Sequence, residues 1–128
     1  MLDRQVIQSR GFKNVPGGFQ VAVRCPYYRG LWASLVEGAT VVVDGVSYPA
    51  DRVRWTLGGV TYTVDELAET DEVRWPYEEA ALLTIEKPGG LPPGTHEIEV
   101  AITWRWSYIP VERQPTTAVA GRKLVLVV

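Results

Sequence analysis

A long pattern of period two from Glu97 to Tyr108, with a large apolar residue at every second position, constrains the fold more than any other feature of the sequence. Successive side chains of a strand point to opposite faces of a sheet, so a period of two predicts a long strand that is buried on one face. The apolar face would carry Ile98, Val100, Ile102, Trp104, Trp106 and Tyr108, and the polar face Glu97, Glu99, Ala101, Thr103, Arg105 and Ser107. The segment therefore indicates a β protein.

Two turn sequences predict hairpins. Asp44-Gly45 separates Val41-Val42-Val43 from Val46-Ser47-Tyr48, and Gly58-Gly59 separates two further strand-like segments. Both dipeptides accept the positive φ angles that a two-residue hairpin turn requires. The sequence thus predicts two antiparallel strand pairs in its first half.

Shorter segments extend the strand pattern along the chain. Residues 19–23 alternate between apolar and other side chains, and residues 81–86 and 123–127 are also predicted to be strands. Residues 111–120, which lie between the long alternation and the last predicted strand, are predicted to be a loop.

Helix is predicted only over residues 65–69, as one turn with Asp65 at its N-cap. Eight or nine short strands with almost no helix predict an all-β protein, an antiparallel β-sandwich. The periodicity leaves an immunoglobulin-like and a jelly-roll topology open. The length and the absence of a linker predict a single β-sandwich domain over residues 1–128.

The composition indicates which classes of partner are unsuited to this chain and in which cellular compartment it is expected. The net charge of −2 comes from 13 basic and 15 acidic residues spread along the chain, without the basic stripe of a nucleic-acid-binding protein. No apolar run approaches the roughly 20 residues that span a bilayer, so no membrane partner is expected. The only cysteine is Cys25, and the charged start lacks the apolar core of a signal peptide. We therefore expect a cytoplasmic protein.

The sequence offers few groups for catalysis. His96 is the sole histidine and Cys25 the sole thiol, so neither a zinc site of the usual ligands nor a Ser-His-acid relay can be assembled. We expect His96 to cover a sheet end or to bond a loop carbonyl, and Cys25 to be a buried structural thiol. Glu78 and Glu79 are strand neighbours that would point apart, unlike the convergent carboxylates of a glycosidase. The acidic cluster over residues 65–72 is predicted to be a solvated turn. No catalytic residue and no metal ligand is predicted in this chain.

Three segments of the sequence have a distinctive composition. They are Arg-Cys-Pro-Tyr-Tyr-Arg-Gly over residues 24–30, Pro-Gly-Gly-Leu-Pro-Pro-Gly-Thr-His-Glu-Ile-Glu-Val over residues 88–100, and Arg-Trp-Ser-Tyr-Ile-Pro over residues 105–110. Together with the Asp44-Gly45 turn, Tyr62-Thr63 and the pair Arg74-Trp75, and taken in order, they resemble the β subunit of bacterial C-glycoside deglycosidases. The similarity spans nearly the whole chain.

The resemblance implies an accessory subunit of a carbon–carbon lyase, inactive when isolated, bound to a larger TIM-barrel α subunit. The α subunit would carry the acid–base residues and a divalent metal of the Mn or Mg type, with no cofactor in this chain. Its substrate would be a C-glycoside, such as that of a flavonoid, already oxidised to a 3-oxo sugar and bound mainly by the α subunit. Removal of the C2 proton, with the metal on the enolate oxygen, would then break the C–C bond by β-elimination.

Six residues within the matching segments are predicted to contact the partner. They are Tyr27, Tyr28, Arg29, Arg105, Trp106 and Tyr108. The first three follow Pro26, where the strand pattern breaks, and Tyr and Arg are enriched in interface hot spots. Alternatively, the two tyrosines close the end of the sandwich and Arg29 makes an internal salt bridge. Trp106 and Tyr108 could fill core, cap its end or reach the partner, and Arg105 could pair with a carboxylate on either chain.

Two other functions stay open at this point. A stand-alone carbohydrate-binding sandwich stacks sugar rings on exposed aromatic residues, and this chain has five tryptophans and six tyrosines. Such modules are commonly secreted or tethered by linkers, and neither a signal nor a linker is visible here. A structural assembly domain unrelated to sugars is the third possibility.

Overall fold

The computed structural model describes residues 6–27, 29–105 and 116–126, and it confirms an antiparallel, mostly β fold. Its strands are β1 Lys13–Val15, β2 Gly18–Arg24, β3 Leu31–Trp32, β4 Val36–Val43, β5 Val46–Tyr48, β6 Val53–Leu57, β7 Val60–Tyr62, β8 Arg74–Trp75, β9 Ala80–Glu86, β10 Gly94–Trp104 and β11 Thr116–Leu126. These described residues thus form eleven strands, and those of two or three residues are too short for alternation to reveal.

The strands form two larger sheets and a small ribbon. One sheet has the order β1-β2-β9-β6-β7 and the other the order β11-β10-β4-β5. Strands β3 and β8 pair only with each other and form what we call the β3–β8 ribbon, Leu31–Trp32 with Arg74–Trp75. Within the described residues, no helix has the length and apolar composition needed to cross a membrane.

Apolar side chains from both sheets share one buried core. The central strands supply most of it: Phe19, Val21 and Val23 from β2, Val53, Trp55 and Leu57 from β6, Ala81, Leu83 and Ile85 from β9, Ala39, Val41 and Val43 from β4, and Ile98, Val100, Ile102 and Trp104 from β10. The predicted alternation in β10 is confirmed as far as Trp104. Burial of this apolar area is the main stabilising contribution to the fold.

Strand β11 is longer than the sequence indicates. It begins at Thr116 and pairs along the whole of β10, from Thr116 opposite Trp104 to Leu126 opposite Gly94. The predicted loop over residues 111–120 is therefore wrong for residues 116–120. Its small and mixed side chains carry no clear alternation, and the strand forms because the long β10 offers a complete row of backbone partners.

The α-helix α1, Val64–Ala68, also starts earlier than predicted. Its N-cap is Thr63 rather than Asp65, because Thr63 and Glu66 form a capping box. The Thr63 Oγ1 accepts a hydrogen bond from the Glu66 N–H at 3.2 Å, and the Glu66 Oε1 accepts one from the Thr63 N–H at 2.8 Å. This exchange fixes the start of the helix and places Leu67 in the core.

The β4–β5 turn is tied to the start of β10 through Asp44. Asp44 and Gly45 have φ angles of 50° and 86°, as the predicted hairpin requires. The Asp44 carboxylate accepts hydrogen bonds from the Glu97 N–H at 2.8 Å and from the His96 Nδ1–H at 2.6 Å. Asp44 therefore connects the β4–β5 turn to β10, a strand that pairs with β4 but not with β5.

His96 is held between two oxygen acceptors. Its Nδ1–H donates to Asp44, and its Nε2–H donates to the Pro92 carbonyl at 2.7 Å, which confirms the expected bond to a loop carbonyl. A carboxylate and a carbonyl carry no hydrogen, so both bonds require the protonated imidazolium. The Pro92 bond is the main cause that raises the pKa of His96, opposed by burial and assisted by Asp44. The Glu97 N–H, and then His96, lower the pKa of Asp44.

Replacing Asp44 with Asn tests this charged pair. Asn tolerates the same positive φ, so the turn is kept while the ionised acceptor is lost. The raised pKa of His96 stabilises the fold fully below its ordinary value of 6.5, and this contribution is lost as the pH rises through the folded-state pKa. Because the pKa of Asp44 is lowered on folding, its carboxylate stabilises the fold fully above the ordinary value of 3.8. This contribution is lost as the pH falls through the folded-state pKa. In urea unfolding, Asp44→Asn should therefore lower the free energy of unfolding more at about pH 5.5 than at about pH 9.

The matched control is Asp71→Asn, on the exposed turn after α1, which should show no such dependence on pH. An equal loss of unfolding free energy at both pH values for Asp44→Asn would contradict a charged His96–Asp44 pair.

Candidate partner-binding surface

The two side chains with the greatest potential for catalysis are committed to the fold. The imidazole of His96 is buried with both nitrogens bonded, as described above. Cys25 is also buried, as predicted, and burial raises the pKa of its thiol to about 11 despite the backbone hydrogen bond near Tyr27. A thiol with this pKa holds almost no nucleophilic thiolate at neutral pH.

Two acidic side chains that the sequence analysis singles out make contacts within the fold. Within the described part of the chain, no group of three or more His, Cys, Asp or Glu side chains is placed to hold a metal ion. In the acidic cluster, Glu66 caps α1. Glu78 and Glu79 lie in the turn before β9, so their predicted place on a strand is wrong. Glu79 accepts a hydrogen bond from the Gly58 N–H at 3.2 Å, which secures the β6–β7 turn. These contacts are structural.

The segment after β2 leaves the sheet at Pro26, as the sequence predicts. A turn follows, in which the Gly30 N–H donates to the Tyr27 carbonyl at 2.8 Å. Gly30 has a φ of 76°, and a Cβ there would lie 2.9 Å from the Trp75 carbonyl oxygen. Glycine is therefore needed both for the backbone angle and for the close approach of this loop to the β3–β8 ribbon.

The predicted contact residues of this loop have different environments. Tyr27 is half-buried and packs against the core. Arg29 is exposed, and its carbonyl accepts a hydrogen bond from the Arg74 Nη2 at 2.8 Å. Tyr28 lies outside the described residues. The loop and the ribbon thus form one continuous surface.

The ribbon adds two exposed residues that the sequence reasoning did not select. Trp32 is 40% exposed, and the guanidinium of Arg74 lies over its ring at 4.8 Å from the centroid. The two residues are register partners across the ribbon. The only available signal was the pair Arg74-Trp75 within the resemblance, because strands of two residues have no periodicity to read.

A second contact between an arginine and an aromatic ring involves Tyr77, two residues after the ribbon in the sequence. The guanidinium of Arg24, the last residue of β2, lies 5.6 Å from the centroid of the Tyr77 ring. We call the exposed region formed by Arg29, Trp32 and Arg74 the ribbon surface. Trp and Arg are among the residue types that dominate binding energy at protein interfaces.

The other predicted contact region lies at the end of β10. Arg105 is exposed and pairs with Glu37 of the same chain, at 3.0 Å between Nε and Oε2, so the expected carboxylate partner is an internal one. An exposed pair of this kind contributes little to stability. Trp104 is buried, and Trp106 and Tyr108 lie outside the described residues.

Known proteins similar to this chain are β subunits of one kind of enzyme. The family model of the C-glycoside deglycosidase beta subunit matches residues 2–108. A C-glycoside deglycosidase beta subunit of Eubacterium cellulosolvens is 36% identical over 115 residues, which cover 85% of this chain and 78% of the relative. One from Arthrobacter globiformis is 32% identical over 126 residues, 94% of this chain and 95% of the relative. A 3'-dehydrocarminate deglycosidase beta subunit of Microbacterium sp is 31% identical over 100 residues, 77% of this chain and 74% of the relative.

The matched region contains every element that builds the ribbon surface, together with the turn at Asp44-Gly45 and strand β10. Because the family model covers most of the chain and the relatives align over most of their own length, the predicted resemblance is confirmed. The chain belongs to the C-glycoside deglycosidase beta subunit family.

Proposed function

We propose that this chain is a non-catalytic subunit that binds and supports a larger TIM-barrel α subunit, in which the carbon–carbon bond of a C-glycoside is cleaved. One observation carries the proposal: the sole imidazole and the sole thiol of the chain are both buried in structural roles. A lyase that removes a proton needs a base within hydrogen-bond reach of substrate, and these two groups are out of reach. The chemistry is therefore assigned to the partner.

The reaction proposed for the α subunit starts from a 3-oxo-C-glycoside. The ketone acidifies the neighbouring C2–H, and a base of the α subunit removes this proton. A divalent metal of the Mn or Mg type, held by the α subunit, would supply positive charge for the enolate oxygen. Collapse of the enolate forms the C1–C2 double bond and breaks the bond between the anomeric carbon and the aglycone. The electron pair of that bond stays with the aglycone carbon, which then takes up a proton. The name of the Microbacterium sp relative refers to a 3'-dehydro compound, which agrees with an oxidised substrate.

A stand-alone carbohydrate-binding role fits the described residues less well. Such modules need aromatic faces open to solvent, and among the described aromatic residues only Trp32 is exposed. The Arg74 guanidinium already lies over that ring. One partly covered tryptophan is a poor platform for a sugar, whereas a Trp–Arg pair suits a protein interface.

The first expectation concerns activity. The purified chain should cleave neither a C-glycoside nor its 3-oxo derivative, because its only imidazole and its only thiol are buried in structural contacts. Mixing it with the cognate α subunit should give turnover of the 3-oxo compound. Release of the aglycone is measured by chromatography, and the α subunit alone is assayed in parallel. Turnover by the isolated chain, free of any α subunit, would contradict the proposal.

The second expectation concerns Arg29. Arg29→Ala removes the exposed guanidinium but keeps the carbonyl that accepts from Arg74, so the loop should retain its anchor. We expect binding to the α subunit to weaken by about 2 kcal/mol, as hot-spot truncations do, with little change in the melting temperature of the isolated chain. Calorimetric titration against the α subunit measures the first quantity and thermal unfolding the second.

Arg54→Ala is the matched control, because Arg54 is an exposed arginine on β6, away from the ribbon surface. Its binding should equal that of the unchanged protein. A variant at Arg29 that melts far lower and yet binds normally would make Arg29 an internal structural residue.

A further inference from the structure

Strand alternation fixes which residues of the ribbon face outward. Leu31 and Trp75 are both buried and stand opposite each other in register. Their neighbours, Trp32 and Arg74, must therefore point away from the core. Trp32 is the largest apolar side chain exposed among the described residues, where the other exposed large apolar residues are valines on β5, β7 and β11.

The Arg74 side chain is held in one position by two contacts. Its guanidinium lies over the Trp32 ring at 4.8 Å, and its Nη2 donates to the Arg29 carbonyl at 2.8 Å. A long side chain that is already ordered loses less rotamer entropy when it binds a partner. Arg74 and Trp32 are thus preorganised for binding in the free chain.

Arg74 retains capacity for an acidic partner. A guanidinium has five N–H donors, and the structure shows one hydrogen bond from this one. The ion pairs found within the described ranges are His96–Asp44, Arg105–Glu37 and Lys123–Glu97, and Arg74 belongs to none of them. A planar guanidinium fork with unused donors matches a carboxylate, which it can bind through two parallel hydrogen bonds.

We propose that Trp32 and Arg74 form the anchor of the α-subunit interface. Trp32 inserts into an apolar depression of the α subunit, and Arg74 binds a carboxylate of an Asp or Glu at the rim of that depression. This inference rests on the proposed function and specifies the residues and the chemistry of the contact. The positive charge of Arg74 selects an acidic partner surface, and the Trp32 ring supplies the apolar area at its centre.

The test uses calorimetric titration of the cognate α subunit with this chain and three variants. Trp32→Ala should weaken binding at least about 30-fold, the loss typical of a hot spot. Arg74→Lys keeps the charge but loses the planar fork and the stacking, and should weaken binding about tenfold. Val60→Ala is the control, because Val60 is an exposed apolar residue on β7, and its affinity should equal that of the unchanged chain.

A measurement on the unchanged chain covers the case in which Trp32→Ala does not fold. Hydroxyl-radical labelling should oxidise Trp32 in the free chain, since it is 40% exposed, whereas Trp55 and Trp75 are buried. The α subunit should protect Trp32 at least about fivefold, as expected for a residue at a desolvated interface centre.

The outcomes separate this inference from the proposed function. If the unchanged chain binds the α subunit while Trp32→Ala and Arg74→Lys bind equally well, or while Trp32 stays reactive in the complex, the anchor is wrong and the subunit role stands. If the unchanged chain does not bind the α subunit at all, both are wrong. Selective loss of binding in the two ribbon variants, with protection of Trp32, supports both.

Discussion

The ring of Trp75 lies fully buried, edge-on to Trp55 with 5.4 Å between ring centroids, and its Nε1–H donates to the Glu79 carbonyl at 2.9 Å. Aromatic pairs in this geometry stabilise a core beyond the area they bury. Because neighbours in a strand point in opposite directions, burial of Trp75 turns Arg74 outward, and pairing then places Arg74 beside Trp32. One core contact thereby sets the geometry of the ribbon surface.

The sequence predicts those elements whose signal lies within a few consecutive residues, such as an alternating strand or a hairpin turn. Alternation from Ile98 onward identifies β10, and Asp44-Gly45 identifies a hairpin, because both signals lie within a few consecutive residues. The start of β11 at Thr116 escapes this reasoning, since its partner strand rather than its own composition makes it a strand. Trp32 escapes it too, because its exposure depends on pairing with a strand more than forty positions away in the sequence. Long-range pairing is thus what the sequence leaves undetermined.

In the candidate surface, too, the sequence predicts local features but not the contacts between distant residues. The predicted loop at residues 26–30 does leave the sheet, and Arg29 is exposed there. Its role as a contact residue stays a prediction, as do those of Tyr27 and Arg105, while Tyr28, Trp106 and Tyr108 fall outside the described residues. The hydrogen bond from Arg74 to the Arg29 carbonyl joins residues 45 positions apart, so no local sequence pattern predicts it.

We propose that this chain supplies a binding surface and no reacting group. The most direct test is a structure of its complex with the α subunit and a 3-oxo-C-glycoside analogue that resists cleavage. The expected result buries the Trp32 ring in the α subunit, places a carboxylate within hydrogen-bond distance of Arg74, and leaves every side chain of this chain out of reach of C2 and the anomeric carbon. A side chain of this chain bonded to either reacting carbon's substituents, or an interface that leaves Trp32 in solvent, would contradict it.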